Sequence, residues 1–218
     1  MTVNVGVLIS GSGTNLQALL DASDEPGYPA RVSVVISSRP GVYGLERAER
    51  SGVPAVVVPF KQFPERVAFE ERLIEVLAQY GVEWVACAGF MKLFTPRFLE
   101  AFPNRILNIH PALIPAFPGM HAQRQALDAG VRITGASVHF VDAGTDTGPV
   151  ILQGAVPVLL DDDEESLSSR ILGVEHRIYK QALRWAAEGR LRVEGKTCRV
   201  DLKSGDRTWI FVESDGVR

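Results

Sequence analysis

The feature that most constrains the fold is a short apolar run ending in a glycine-rich turn. Val3 to Ile9 is almost continuously apolar, Ser10-Gly11-Ser12-Gly13-Thr14 follows, and Asn15 to Asp21 sets Leu16, Leu19 and Leu20 at helical spacing. A strand with one wet face alternates apolar and polar residues, so an unbroken run marks a parallel strand covered on both faces. Parallel strands need a crossover, usually a helix. The same order recurs along the chain. Arg31 to Ser37 precedes a helix from Gly44 to Ser51. Ala55 to Val58 precedes an amphipathic helix from Pro64 to Tyr80, with Phe69, Leu73, Val76, Leu77 and Tyr80 on one face. Trp84 to Ala88 precedes a helix that opens at Thr95 or Pro96 and ends at Ala101. These repeats predict an α/β protein with a doubly wound, mostly parallel sheet.

Two loops in this frame carry chemistry. The turn at Gly11 and Gly13 aims free backbone N–H groups at an anion, and the helix dipole adds to the attraction. Its glycines match the first two of a dinucleotide fingerprint, but Leu16 holds the third place. No acidic residue follows the second strand, where Ser38-Arg39 stands instead. The turn reads as a phosphate site; an NADP-type site through Arg39 stays open as the alternative.

The second loop follows Arg105 to Ile109, a short buried strand that stops at His110-Pro111 and is followed by Pro115, Pro118 and Gly119. Proline lacks an N–H and fixes φ, so this is a rigid loop at a strand's end. Ligands in open α/β sheets bind outside those ends. Asn108 and His110, two residues apart, share one side of the strand. There an amide and an imidazole can stabilise a developing oxyanion and move a proton. The pair also fits a satisfied core histidine beside a turn-capping amide, and the residues alone leave both readings open.

Downstream, His121 to Ala129 reads as a helix, and Gly135 to Val141 and Val150 to Val158 as strands. The polar stretch Asp142 to Pro149 joins the two strands. The acidic run Asp161 to Glu165 complements the dipole of a long helix from Ser166 to Ala187, with Leu167, Ile171, Val174, Ile178 and Leu183 inward. The tail from Gly189 reads as short antiparallel strands around Glu194-Gly195. His139 reads as a hydrogen-bonded core or pocket histidine, His121 as the opening of a helix, and His176 has no assigned role.

With no linker or repeat, the expectation is one domain over 1–218. It comprises a phosphate-binding half over 1–100, a catalytic half over 101–190 and a tail over 191–218. A formal net charge of −3 gives no field favouring nucleic acid or an anionic membrane. No apolar run approaches the ~20 residues that span a bilayer. Cys87 and Cys198 form no CxxC pair and the four histidines show no ligand spacing, so no metal is expected. The start of the chain enters a strand without a basic leader, which points to the cytoplasm.

Four stretches together, I-S-G-S-G-T-N-L-Q-A-L, A-G-F-M-K-L, N-I-H-P-A-L-I-P-A-F-P-G-M-H and S-V-H-F-V-D-A-G-T-D-T-G-P-V-I-L-Q, occur in the order found in a known family. From Val3 to Leu191 the chain resembles the phosphoribosylglycinamide formyltransferases, folate-dependent enzymes of purine biosynthesis with a Rossmann-like fold. The resemblance implies formyl transfer from 10-formyltetrahydrofolate to the amine of 5-phosphoribosylglycinamide. It implies a catalytic set of Asn108, His110 and Asp146. It places the ribonucleotide at Gly13, Thr14 and Asn15 and at Leu172, Gly173, Val174 and Glu175. It places the folate at Arg66, Met91, Lys92, Leu93, Phe94, Asn108 and the loop Asp142, Ala143, Gly144, Thr145 and Asp146. In that chemistry Asn108 and a protonated His110 face the formyl oxygen, and a carboxylate nearby favours the imidazolium form. Lys92 stands where an arginine is usual, keeping charge without the planar fork. Ala112, Ile114 and Thr14 also depart from the family's pattern. Formyltetrahydrofolate hydrolases and methionyl-tRNA formyltransferases share the N-x-H loop but add an N-terminal regulatory domain and a C-terminal barrel respectively. A non-catalytic NADP-binding module is the alternative of another class. The implied partners are small molecules, with a monomer or homodimer as the active unit.

Overall fold

The apolar run at the start forms β1 (Val3–Ile9), and its residues sort alternately into two cores. Val5, Val7 and Ile9 face one side with Leu16, Leu19 and Leu20 of α1 (Thr14–Ser23), whereas Leu8 faces the other with Phe69, Leu73 and Leu77 of α3 (Arg66–Gln79). A strand buried on both faces has no use for polar alternation, which is why the run reads as it does.

The computed structural model describes residues 2–211. The remaining elements are β2 (Ala30–Ser37), α2 (Tyr43–Arg50), β3 (Ala55–Val57), β4 (Trp84–Cys87), α4 (Pro96–Ala101), β5 (Ile106–His110), α5 (Ala122–Asp128), β6 (Ile133–Phe140), β7 (Val150–Pro157), α6 (Glu164–Ala187), β8 (Leu191–Glu194), β9 (Thr197–Val200) and β10 (Trp209–Phe211). One eight-stranded sheet has the order β10-β7-β6-β5-β4-β1-β2-β3. Pairing is parallel from β3 through β5, then antiparallel for β5–β6 and β6–β7. The order reverses at β1, so a crevice opens between the carboxyl ends of β1 and β4. Among the described residues no helix is long and apolar enough to cross a membrane.

The tail departs from expectation in one strand. The antiparallel pair β8–β9 forms a separate two-stranded sheet, as its alternation suggests, but β10 joins the main sheet parallel to β7. The α3 helix begins at Arg66 rather than Pro64, because a single 3-10 turn (Phe60–Gln62) and an extended Phe63 precede the proline. The acidic run divides its work. Asp163 caps α6 in a reciprocal capping box with Ser166, Glu164 and Glu165 occupy the first turn, and Asp162 pairs with Arg170 at 2.6 Å. Within α6, Tyr179 is fully buried and its hydroxyl donates to the carbonyls of Cys87 (2.9 Å) and Leu107 (3.2 Å), tying the helix to β4 and β5.

Candidate active site

The glycine-rich turn leaves β1 and enters α1 through Gly13, whose φ is 72°. A Cβ there would lie 2.8 Å from Gly44 Cα, so both the backbone angle and the approach of α2 require glycine. Ser10 to Asn15 line a cavity of about 250 Å³ together with Arg39, Ala88, Gly89 and Met91, at the crevice between β1 and β4. Behind the turn, Arg47 Nε donates to the Ser12 carbonyl at 2.9 Å and fixes its outer side.

Asn15 of this turn is tied to α6. Glu175 is 7% exposed and accepts from Asn15 Nδ2 at 2.8 Å. Burial raises its carboxyl above the ordinary value, partly offset by the Asn15 hydrogen bond. Asn15 Oδ1 is itself buried without a partner among the described residues. Asn15 Oδ1 can therefore accept from a donor such as an amine or a hydroxyl, with the Glu175 carboxyl beside it. Leu172 is half-buried and Gly173 exposed, but the Val174 side chain packs into the core instead.

The second half of the site forms at the end of β5. Antiparallel pairing sets Asn108 opposite His139 and His110 opposite Ser137. Asn108 Nδ2 lies 3.1 Å from His139 Nε2 and 3.5 Å from Asp146 Oδ1. His110 Nε2 donates to the Phe117 carbonyl at 2.8 Å, and its Nδ1 lies 3.3 Å from Asp146 Oδ2. Both partners are acceptors: Nε2 donates to the Phe117 carbonyl, and Nδ1 faces the Asp146 carboxylate. Asp146 Oδ2 also accepts the Gly119 N–H at 2.8 Å. Burial pushes the Asp146 carboxyl up, but the bonds from His139 and Gly119 and the charge of His110 outweigh it and leave it below the ordinary value. Phe117, His121 and Asp146 all adopt left-handed φ (53°, 59° and 54°). Such strain in non-glycine residues concentrates where a site over-determines the backbone.

His139 belongs to this cluster, which its strand alternation did not reveal. Its Nδ1 donates to the Phe140 carbonyl at 2.8 Å, so Nε2 faces Asn108 and, at 3.5 Å, Asp146. The neutral ring accepts from Asn108; the protonated ring donates to Asp146. The antiparallel β5–β6 register is the signal that would have found it. His121 precedes α5 without a side-chain cap, and His176, half-buried on α6, is held below its ordinary value chiefly by burial.

Met91 and Leu93 are exposed, Phe94 is buried in an aromatic stack with Phe90 and Phe98, and Lys92 Nζ sits 3.9 Å over the Phe60 ring. Arg66 opens α3 as an exposed residue with no hydrogen bond to this loop among the described residues. Asp142 turns its carboxylate inward, accepting from Gly144 N (3.0 Å) and Thr147 Oγ1 (2.7 Å), so it shapes the loop that presents Asp146. Ala143, Gly144 and Thr145 are exposed at its tip.

Comparison with known proteins places this geometry in a family. The family model described as formyl transferase matches residues 3–183. The chain is 47% identical to a trifunctional purine biosynthetic protein of Drosophila pseudoobscura over 86% of its own length, and spans 14% of that relative. It is 40% identical to phosphoribosylglycinamide formyltransferase of Escherichia coli, over 91% of this chain and 94% of that one. Glycinamide ribonucleotide transformylase 1 from Symbiobacterium toebii superposes with a TM-score of 0.90 at 57% identity, over 91% and 94% of the two chains. The chain, with its glycine turn and its Asn108–His110–Asp146 cluster, belongs to the formyl transferase family.

Proposed function

We propose that the protein transfers the formyl group of 10-formyltetrahydrofolate to the amine of 5-phosphoribosylglycinamide, a step of de novo purine biosynthesis. The observation that carries this reading is the convergence of Asn108, His110 and Asp146 at the end of β5, the strand next to β4, while the cavity lies at the ends of β1 and β4. The cavity suits a phosphate, Glu175 and Asn15 suit the amine or hydroxyls of the ribonucleotide, and the exposed thioethers of Met91 and Met120 offer apolar surface for the folate rings. The folate supplies the formyl carbon and a nitrogen leaving group. Asn108 offers an N–H and His110 a ring proton to the formyl oxygen as charge develops there. With Nε2 bonded to Phe117, it is the Nδ1 proton of His110, 3.3 Å from Asp146, that is shared with the formyl oxygen. As the new carbon–nitrogen bond forms, Asp146 holds His110 charged and relays the proton lost by the amine toward the departing nitrogen. Residues 1–218 act as one domain in this reading, as a monomer or homodimer in the cytoplasm, with small molecules as partners and no metal.

The test is formyl transfer from 10-formyltetrahydrofolate to the ribonucleotide, with a no-acceptor control and a His110→Ala variant. Acceptor-dependent turnover, reduced at least ~100-fold in the variant, is the expected result, on the scale of losing an oxyanion donor. Equal formyl loss without acceptor would mean hydrolysis instead.

A further inference from the structure

The loop after β5 does more than end a strand. Its Phe117 carbonyl accepts from His110 Nε2 (2.8 Å) and its Gly119 N–H donates to Asp146 Oδ2 (2.8 Å), so the loop backbone sets both members of the acid–base pair. What holds the loop comes from the neighbouring strands. Ser137 of β6 is fully buried; its hydroxyl donates to the Ala112 carbonyl at 2.7 Å and accepts the Ile114 N–H at 3.0 Å. Gln153 of β7 is directly paired with Ser137 in the sheet. Its Nε2 donates both to the Ser137 hydroxyl (2.9 Å) and to the Ile114 carbonyl (3.1 Å). Both polar groups of Ile114 and the carbonyl of Ala112 are thereby gripped by two side chains. Proline-rich segments lack the N–H groups to make such a ladder for themselves. On its outer side, the Gln153 N–H donates to the Thr208 carbonyl at 3.1 Å, which links the clasp to β10.

We infer that Gln153, acting through Ser137 and Ile114, is a positioning residue for formyl transfer: it fixes the 111–119 loop that orients His110 and Asp146. The inference rests on the proposed function for its kinetic consequence, but its structural half can be tested separately. A Gln153→Met variant keeps length and removes both donors. A Gln153→Glu variant keeps shape and places a carboxylate against the Ile114 carbonyl. A misplacement on the ångström scale costs up to about 100-fold in rate. The expected result is a kcat lowered about 10- to 100-fold in both variants, with KM for the ribonucleotide within about twofold, because its cavity lies across the sheet at the glycine turn.

Alongside, ¹⁵N-histidine NMR of the unliganded protein follows the His110 Nε2–H bonded to Phe117, assigned by its loss in His110→Ala. In the wild type this proton resonates downfield and exchanges slowly; in either folded variant it broadens or disappears. A purely structural role for Gln153 would lower Tm yet leave that signal and kcat per folded molecule unchanged, and that pattern overturns the proposal. If the wild type transfers no formyl group, the proposed function fails while the NMR comparison still decides the clasp. Should Gln153→Met not fold, Gln153→Glu carries both readouts.

Discussion

Asp146 is held at a left-handed φ of 54° while its carboxylate faces donors from β5, from β6 and from the proline-rich loop. An Asp146→Asn variant keeps that shape and loses the charge. Its kcat is expected to fall about 100-fold or more with little change in Tm, and steady-state kinetics beside thermal unfolding check it. Because its carboxyl titrates below the ordinary value, Asp146 stays ionised in mild acid, and activity lost there has another cause. Glu175 behaves oppositely. Burial favours its neutral form, and a cationic or hydroxyl donor arriving in the pocket offsets that cost. In Glu175→Gln the KM for the ribonucleotide should rise about tenfold with kcat nearly intact; a kcat loss at unchanged KM would remove Glu175 from substrate binding. Spacing put Asn108 and His110 on one side of a strand, as the structure has them, but left a catalytic and a core reading open. Asp146 lies on a different loop and was reached only through the family resemblance. His139 was read as a hydrogen-bonded core or pocket histidine, as it is, but its place beside Asn108 depends on the strand register.

The long helix α6 shows how local chemistry sets stability at the scale of an element. Asp162 is nearly buried, pairs with Arg170 through both oxygens and accepts the Leu159 N–H. The Arg170 hydrogen bonds, against an opposing burial effect, hold its carboxyl down at about 2 instead of 3.8. A depressed acid stabilises the fold above its unfolded value and loses that contribution as pH falls toward the folded one. Asp162→Asn should therefore cost on the order of 1 kcal/mol at pH 7, once screening is allowed for, and the difference should vanish between about pH 4 and pH 2. Urea unfolding across that range checks it; a constant difference would mean packing, not charge. Strand pairing makes a sharper demand at Gly135, where a Cβ would stand 1.9 Å from the Gly154 carbonyl oxygen of β7. Gly135→Ala is expected to destabilise by about 2 kcal/mol or more, because the obstructing atom is backbone. The helices and buried strands were legible because both carry period and length. β10 was not: with Trp209–Phe211 it is three residues long, and its parallel pairing follows from where the tail is carried.

Across the whole molecule, strand order brings distant loops together. Reversal at β1 sets the glycine turn beside the end of β4, and the next strand outward delivers Asn108 and His110. The buried-strand pattern made the class of sheet legible. It could not fix the antiparallel turn at β6, which decides that His139 and the 142–146 loop fold back over β5 rather than away from it. Since the cavity and the Asn108–His110–Asp146 cluster sit on one continuous sheet, a ligand in the cavity is expected to stabilise the fold as a unit. Glycinamide ribonucleotide at 100 times its Kd adds about 2.7 kcal/mol, which for a chain of this length raises Tm by about 5–10 °C. Scanning calorimetry with the ribonucleotide and with its dephosphorylated form separates the contributions. The phosphorylated ligand alone should give the full shift, because the free N–H groups of the turn recognise the anion. Equal shifts from both forms, compared at equal concentration, would show that the glycine turn does not bind the phosphate and would move the site to the Asn15–Glu175 pair.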